Sequence, residues 1–185
     1  MLKKIVIVGP ESTGKSTICS ELAQYYSQNY AAAWVPEYAR EFLEKIGRPY
    51  TYEDLLTIAK GQLELEERIK EKLLAEAGDG PALLFIDTNM IVMQVWSEYV
   101  FGKCDRFILD QVVKRSYDYY LLMNIDLPWT YDALREYPDL KNREQLYHLY
   151  YDILQRQSTP WSVISGNGEE RRLAAIEAID QLLRK

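Results

Sequence analysis

The stretch Gly9-Pro10-Glu11-Ser12-Thr13-Gly14-Lys15-Ser16-Thr17 constrains this chain more than any other. It fits G-x-x-x-x-G-K-[ST], the spacing of a phosphate-binding loop. Glycine at both ends lets the backbone turn so tightly that successive N–H groups point at one anion. Lys15 adds a point charge for nucleotide β- and γ-phosphates, and the Ser16 hydroxyl is a ligand for Mg²⁺. The context agrees with the motif. Leu2 to Val8 is a β-branched apolar run leading into the loop, and Ile18, Leu22, Tyr25 and Tyr26 follow at helical spacing. A helix starting there aims its free N–H groups and positive dipole end at the same anion. The expected ligands are ATP and Mg²⁺, with Gly9, Glu11, Ser12, Thr13, Gly14, Lys15, Ser16 and Thr17 holding the nucleotide.

A chain of 185 residues suits one domain, 1–185, that buries about 70% of its unfolded surface. The net charge is −6, and no basic stripe exists beyond Lys3-Lys4 and Arg171-Arg172, so nucleic acid is not an expected partner. Apolar runs are of strand length, short of the roughly 20 residues a bilayer needs, so no membrane partner is expected either. Cys19 and Cys104 fall within apolar-periodic segments and read as small buried residues of a reducing compartment. With a first strand expected from Leu2, no room is left for a signal peptide, and the expected location is the cytoplasm.

Along the chain, Ala31 to Val35 reads as a second strand stopped by Pro36, with Glu37-Tyr38-Ala39-Arg40-Glu41 at its carboxyl end. Thr51 opens a long helix with Asp54 in capping-box position. Its stripe is Leu55, Ala59, Leu63, Ile69 and Leu73, and the pairs Glu64–Arg68 and Glu66–Lys70 suit a solvated face. Ala82 to Ile86 is continuously apolar, as a strand buried on both faces should be, and Asp87 ends it. Thr88 or Asn89 caps a helix with the stripe Ile91, Val95, Trp96 and Tyr99; a short helix around Phe107, Leu109 and Val112 follows. Tyr117 to Met123 is a fourth strand and Ser162 to Ile164 a fifth. A helix through Leu146, Leu149, Tyr150, Ile153 and Leu154 lies between them, and Asn167 caps a last helix. Residues 126–143, polar and without an apolar period, are expected to form a mobile lid with one helical turn. Strands alternating with helices give a parallel α/β sheet, whose ligands collect at the strands' carboxyl ends.

Those ends carry the candidate chemistry. Asp87, at the tip of a buried strand, is placed to hold Mg²⁺ with Ser16, although it can equally cap the next helix. Glu37 can orient an acceptor hydroxyl and take its proton, or simply pair with Arg40 or Arg48. Arg135 and Arg143 suit a clamp on charge developing in phosphoryl transfer, or are solvated helix arginines among Asp132, Glu136 and Asp139. Trp129 can stack on a ring or belong to local core. His148 reads as structural, and no His/Cys metal cluster or nucleophile triad is evident.

With these residues assembled, the chain resembles the ribosylnicotinamide kinase domain of the NadR type. The landmarks recur in order: Gly9 to Ser16, Glu37-Tyr38-Ala39-Arg40-Glu41, Phe85-Ile86-Asp87-Thr88, Asp126-Leu127-Pro128-Trp129, Asp132-Ala133-Leu134-Arg135, then Arg143. The resemblance spans essentially the whole chain. It implies a P-loop kinase of nucleoside and nucleotide kinase type, with a five-stranded parallel sheet and an Arg-bearing lid. The implied reaction is ATP-dependent phosphorylation of the 5′-hydroxyl of nicotinamide riboside to nicotinamide mononucleotide, in NAD salvage. The implied catalytic set is Lys15, Glu37, Asp87, Arg135 and Arg143, and the implied acceptor set is Glu37, Tyr38, Arg40, Asp87, Asn89, Asp126 and Trp129. The chain departs from the family with Asn89, where members commonly carry Asp, and Ala133, where they carry Gly. It also opens at the first strand, so the second step toward NAD is expected to need another protein. Two other readings stay open: a kinase for another nucleoside or small alcohol, and a nucleotide-binding regulatory or sensor ATPase.

Overall fold

The computed structural model describes residues 1–184. Five strands, β1 (Leu2–Val8), β2 (Ala31–Val35), β3 (Ala82–Asp87), β4 (Tyr119–Met123) and β5 (Trp161–Ile164), form one sheet in the order β2-β3-β1-β4-β5. Every neighbouring pair is parallel. Parallel neighbours need crossovers, and helices supply them. These are α1 (Lys15–Tyr26), α2 (Tyr38–Ile46), α3 (Tyr52–Ala77), α4 (Met90–Phe101), α5 (Arg106–Lys114), α6 (Leu140–Gln155) and α7 (Gly168–Leu183).

The period-two alternation of the strands divides the core. Ile5 and Ile7 of β1, with Leu83 and Phe85 of β3, face α1 and α7 through Ile18, Leu22, Ile176 and Ile179. Val6 and Val8, with Leu84 and Ile86, face the other way onto α3, α4 and α6 through Leu73, Ile91, Val95, Leu146 and Leu154. A third cluster binds α2, α3, α4 and α5 through Ala39, Leu55, Ile58, Met93 and Ile108.

β1 has β3 and β2 on one side and β4 and β5 on the other, so the winding reverses there. Ligand crevices of open α/β sheets form outside the carboxyl ends of the strands at such a reversal. The pairing of Ile7 with Asp87 brings that carboxylate beside the end of β1. Gly9 follows at φ 142°, and a Cβ there would lie 2.9 Å from the Met123 carbonyl oxygen. Only glycine lets the loop leave β1 this close to β4.

Two stretches differ from the sequence-based expectation. Residues 38–46, for which the sequence suggests no element, form α2, with Ala39 buried, Phe42 and Leu43 half-buried, and Gly47 closing the helix at φ 60°. Nine residues with four charges read poorly as a helix until α3 and α4 supply the surface they cover. Glu66, expected on the solvated face of α3 beside Lys70, is 1% exposed. It accepts from Arg115 Nη1 at 3.1 Å and from the Tyr117 hydroxyl at 3.2 Å, while Lys70 pairs with Glu67. Charge spacing along one helix cannot reveal a partner that the end of α5 brings from 49 positions away. The capping box at Thr51–Asp54 forms as expected, Asn167 caps α7 as expected and does so in a box with Glu170, and Asn89, not Thr88, caps α4. Among the described residues no helix is long and apolar enough to cross a membrane.

Candidate active site

The phosphate loop is shaped by two left-handed residues, Ser12 (φ 58°) and Gly14 (φ 79°). The buried Thr13 hydroxyl donates to the Pro10 carbonyl at 2.8 Å and pins the turn from inside. Lys15 Nζ donates to the same carbonyl at 2.9 Å, so its ammonium lies folded across the loop. α1 begins at Lys15 with no acidic residue in its first turn, which leaves its positive end for an outside anion.

Beside the loop, Asp87 is 0% exposed and neither carboxylate oxygen has a hydrogen-bond partner. Burial, then the nearby Glu37 charge, pushes its carboxyl up to about 6, with Lys15 acting against them. A buried carboxylate without partners is costly, and a cation with its own waters would satisfy both oxygens. With the Ser16 hydroxyl at the head of α1, Asp87 is a fitting donor set for Mg²⁺ shared with nucleotide phosphates. Thr88, next in the chain, holds a strained φ of 78°, and its hydroxyl reaches Glu37 Oε1 across 3.5 Å. Glu37 stands at the head of α2, just past β2. Gln62 of α3, fully buried, fixes this stretch by accepting from Tyr38 N–H at 2.7 Å and donating to the Pro36 carbonyl at 3.2 Å.

Residues 126–139 run irregularly over the loop, with one turn in which Arg135 N–H donates to the Asp132 carbonyl. Thr130 N–H donates to Ser12 Oγ at 2.9 Å, and Arg40 reaches across to Asp132 at 2.9 Å. Arg135 Nη1 donates to the Thr130 carbonyl at 2.5 Å and to Ser12 Oγ at 3.4 Å. The irregular stretch ends earlier than expected, because Asp139 caps α6 and Arg143 belongs to that helix.

One cleft of about 210 Å³ joins these parts. The whole loop from Gly9 to Thr17 lines it, together with Glu37, Arg40 and Arg135. Part of its wall is aromatic: Tyr50, Trp96, Tyr99, Tyr137 and Tyr150. Trp96 Nε1 donates to the Tyr50 hydroxyl at 2.9 Å, which donates to Glu136 at 2.7 Å, and Tyr99 meets Tyr137 edge to face at 5.2 Å. This wall was hidden in the sequence. Trp96 and Tyr99 lie three apart in the α4 stripe and read as core, and Tyr50 and Tyr137 sit in stretches without a period.

Other expected site residues are placed elsewhere. Tyr38 packs its ring against Gly61, where any side chain would collide with it, and does not line the cleft. Asn89 is buried, capping α4 and donating to the Tyr120 hydroxyl at 3.4 Å. Asp126 is engaged by Arg171 and accepts from Gly166 N–H at 2.7 Å. Trp129 donates to Glu11 at 3.3 Å and does not line the cleft. Arg143, 4% exposed, donates to the Leu127 carbonyl at 3.1 Å, and burial lowers its guanidinium from the usual value. It braces the segment from beneath and does not reach into the cleft. His148 is exposed on α6.

The family model described as AAA domain, AAA_28, matches residues 4–171. The chain belongs to the AAA_28 family. This AAA_28 chain is similar to the trifunctional NAD biosynthesis/regulator protein NadR of Escherichia coli (strain K12), with 22% identity over 98% of its own length. The NadR of Salmonella typhimurium matches at the same identity and coverage. The AAA_28 chain spans 43% of the length of these curated relatives. In fold it resembles a NadR crystal structure in complex with NR, at TM-score 0.75 and 21% identity over 97% of this chain and 51% of that one. It also resembles thymidylate kinase from Ehrlichia chaffeensis, at TM-score 0.69 and 19% identity over 98% of each chain. A NadR structure in complex with NAD and AMP-PNP matches at TM-score 0.70, 20% identity, 97% of this chain and 49% of that one. The architecture of this AAA_28 chain is therefore the P-loop kinase fold.

Proposed function

We propose that this chain is an ATP-dependent kinase for a nucleoside 5′-hydroxyl, with nicotinamide riboside as acceptor and nicotinamide mononucleotide as product. The observation that carries the reading is the single cleft in which the phosphate loop, Glu37, Arg40, Arg135 and an aromatic wall meet. The loop N–H groups, the α1 terminus and Lys15 hold the donor phosphates. Glu37 orients the acceptor hydroxyl and takes its proton as the 5′-oxygen forms its bond to the γ-phosphorus and ADP leaves. Arg135, beside Ser12 of the loop, offsets charge on the phosphoryl oxygens. Ser16 and Asp87 would hold Mg²⁺, which supplies charge neutralisation at the β- and γ-phosphates.

The acceptor assignment rests on the wall. A pyridinium ring carries positive charge, and an aromatic lining of Trp96, Tyr99 and Tyr137 suits a planar cation better than a neutral base. Similarity to NadR, including a structure in complex with NR, supports the same choice. A salvage kinase of this kind belongs in the cytoplasm, and the free thiols of Cys19 and Cys104 accord with that.

The test is a panel in which the protein meets Mg·ATP and one nucleoside at a time, with products read by mass. Nicotinamide riboside should be phosphorylated fastest. A higher rate on thymidine or another nucleoside would move the chain to a different acceptor. ADP release with no phosphorylated product would make it an ATPase or sensor.

A further inference from the structure

Arg171 is 2% exposed, the largest of the fully buried side chains, yet it lies on the opening turn of α7 and lines no part of the cleft. A guanidinium has five N–H donors, and a buried one is tolerated only when they find acceptors. Here all five do. Nε donates to the Gly166 carbonyl at 3.0 Å. Nη1 donates to the Thr13 carbonyl at 3.0 Å and the Asn124 carbonyl at 3.4 Å. Nη2 donates to the Asn124 carbonyl at 3.3 Å and to the Asp126 carboxylate. Three segments thus meet on one side chain: the phosphate loop, the end of β4 and the β5–α7 turn. Asp126 also accepts from Gly166 N–H at 2.7 Å, which closes the arrangement on itself.

The contact with Thr13 bears on the phosphate site. Thr13 lies between the two left-handed residues of the loop, Ser12 and Gly14. A peptide unit is planar and trans, so its C=O and N–H point in opposite directions. Holding the Thr13 carbonyl toward Arg171 turns the Gly14 N–H to the other side, where the cleft lies. Were that unit to flip, a carbonyl would face the phosphates in place of a donor, and repulsion would replace a charge-assisted hydrogen bond. The Thr13 hydroxyl is committed to Pro10 on the inner side, so the side chain that holds the Thr13 carbonyl is Arg171.

We infer that Arg171 is a positioning residue that sets the peptide orientation of the phosphate loop from behind, with Asp126 holding its guanidinium in place. The inference rests on the proposed nucleotide role of the loop and assigns donor-phosphate affinity to a residue outside the G-x-x-x-x-G-K-[ST] motif.

Two variants test it: Arg171→Lys, which keeps the charge and loses the fork, and Asp126→Asn, which leaves the carbonyl contacts and loosens their orientation. Binding of Mg·ATP and of Mg·tripolyphosphate is measured by calorimetry, KM for the nucleoside by steady-state assay, and folding by thermal unfolding. Losing one charge-assisted hydrogen bond predicts affinities for both phosphate ligands weaker by about tenfold or more in Arg171→Lys, and by less in Asp126→Asn. The nucleoside KM should stay within about twofold, because Arg171 and Asp126 hydrogen-bond none of the aromatic residues of the wall. If Arg171→Lys does not fold, the graded loss in Asp126→Asn carries the test alone. Unchanged affinity for both phosphate ligands in a folded variant overturns the inference, as does an equal loss for phosphate ligands and nucleoside, which marks general damage. A wild-type protein that binds neither ATP nor tripolyphosphate overturns the nucleotide reading itself, and this inference with it.

Discussion

Glu11 Oε1 accepts the Tyr137 N–H at 2.6 Å, joining the phosphate loop to a segment 126 positions further along the chain. The same carboxylate accepts from Glu136 N–H at 3.0 Å and from Trp129 Nε1 at 3.3 Å. The segment over the site is therefore hung on a loop side chain, and a ligand that settles into the loop acts directly on its anchor.

Glu11→Ala should free that segment. Trypsin is expected to cut the variant faster than wild type after Arg135 and after the exposed Lys141, while buried Arg143 stays uncut in both. ATP analogue with nucleoside should slow these cuts in wild type, because ligand charge engages Arg135 and closes the segment. Identical cleavage rates in variant and wild type would mean that the anchor does not hold the segment.

Lys15→Ala should lower turnover by about a hundredfold or more, the usual cost of removing a charge aimed at a transferring group. Its melting temperature should hold, since the one hydrogen bond of Lys15 Nζ is to the Pro10 carbonyl within the loop itself. Turnover within about tenfold of wild type would place phosphoryl transfer elsewhere.

Asp87 gives the protein a pH signature. Its carboxyl is raised to about 6 from an ordinary 3.8. Between those values the folded state binds more protons than the unfolded one, so this group's contribution falls as pH rises and stays low above about 6. Asp87→Asn removes that dependence. Measured by denaturant unfolding without ligands, the stability of the variant relative to wild type should improve by about 2 kcal/mol between pH 4 and pH 7. The variant should also need more Mg²⁺ for half-maximal activity. A constant stability difference across that range would mean that Asp87 is not held in a raised state.

The sheet was readable because its signals are local. β3 and residues 5–8 of β1 are apolar runs ended by Asp87 and Gly9, and a run of that kind is a buried parallel strand whatever packs on it. The phosphate loop was equally local, its spacing and flanking periods lying within some twenty residues. What stayed hidden depends on partners far apart in sequence. Arg171 reads as half of a basic pair until β4 and the loop bring it their carbonyls. Asp126, at a strand end, reads as a ligand group until Arg171 claims it. The aromatic wall combines Tyr50, α4 and Tyr137, none of which signals the others.

The buried pair of Glu66 and Arg115 gives a stability test unconnected with the site. Arg115→Ala leaves Glu66 buried with only the Tyr117 hydroxyl and should cost about 3 kcal/mol in denaturant unfolding. Arg68→Ala, on the exposed face of the same helix, should cost less than about 0.5 kcal/mol. Equal losses would mean that the pair contributes nothing through its burial.

The proposed phosphoryl transfer to nicotinamide riboside is tested most directly by the stoichiometry of ADP and nicotinamide mononucleotide from one reaction. The expected result is one product molecule per ADP, no ADP above background without nicotinamide riboside, and both products about a hundredfold slower or more from Lys15→Ala. ADP released at the same rate with and without the nucleoside, and no mononucleotide formed, would contradict it.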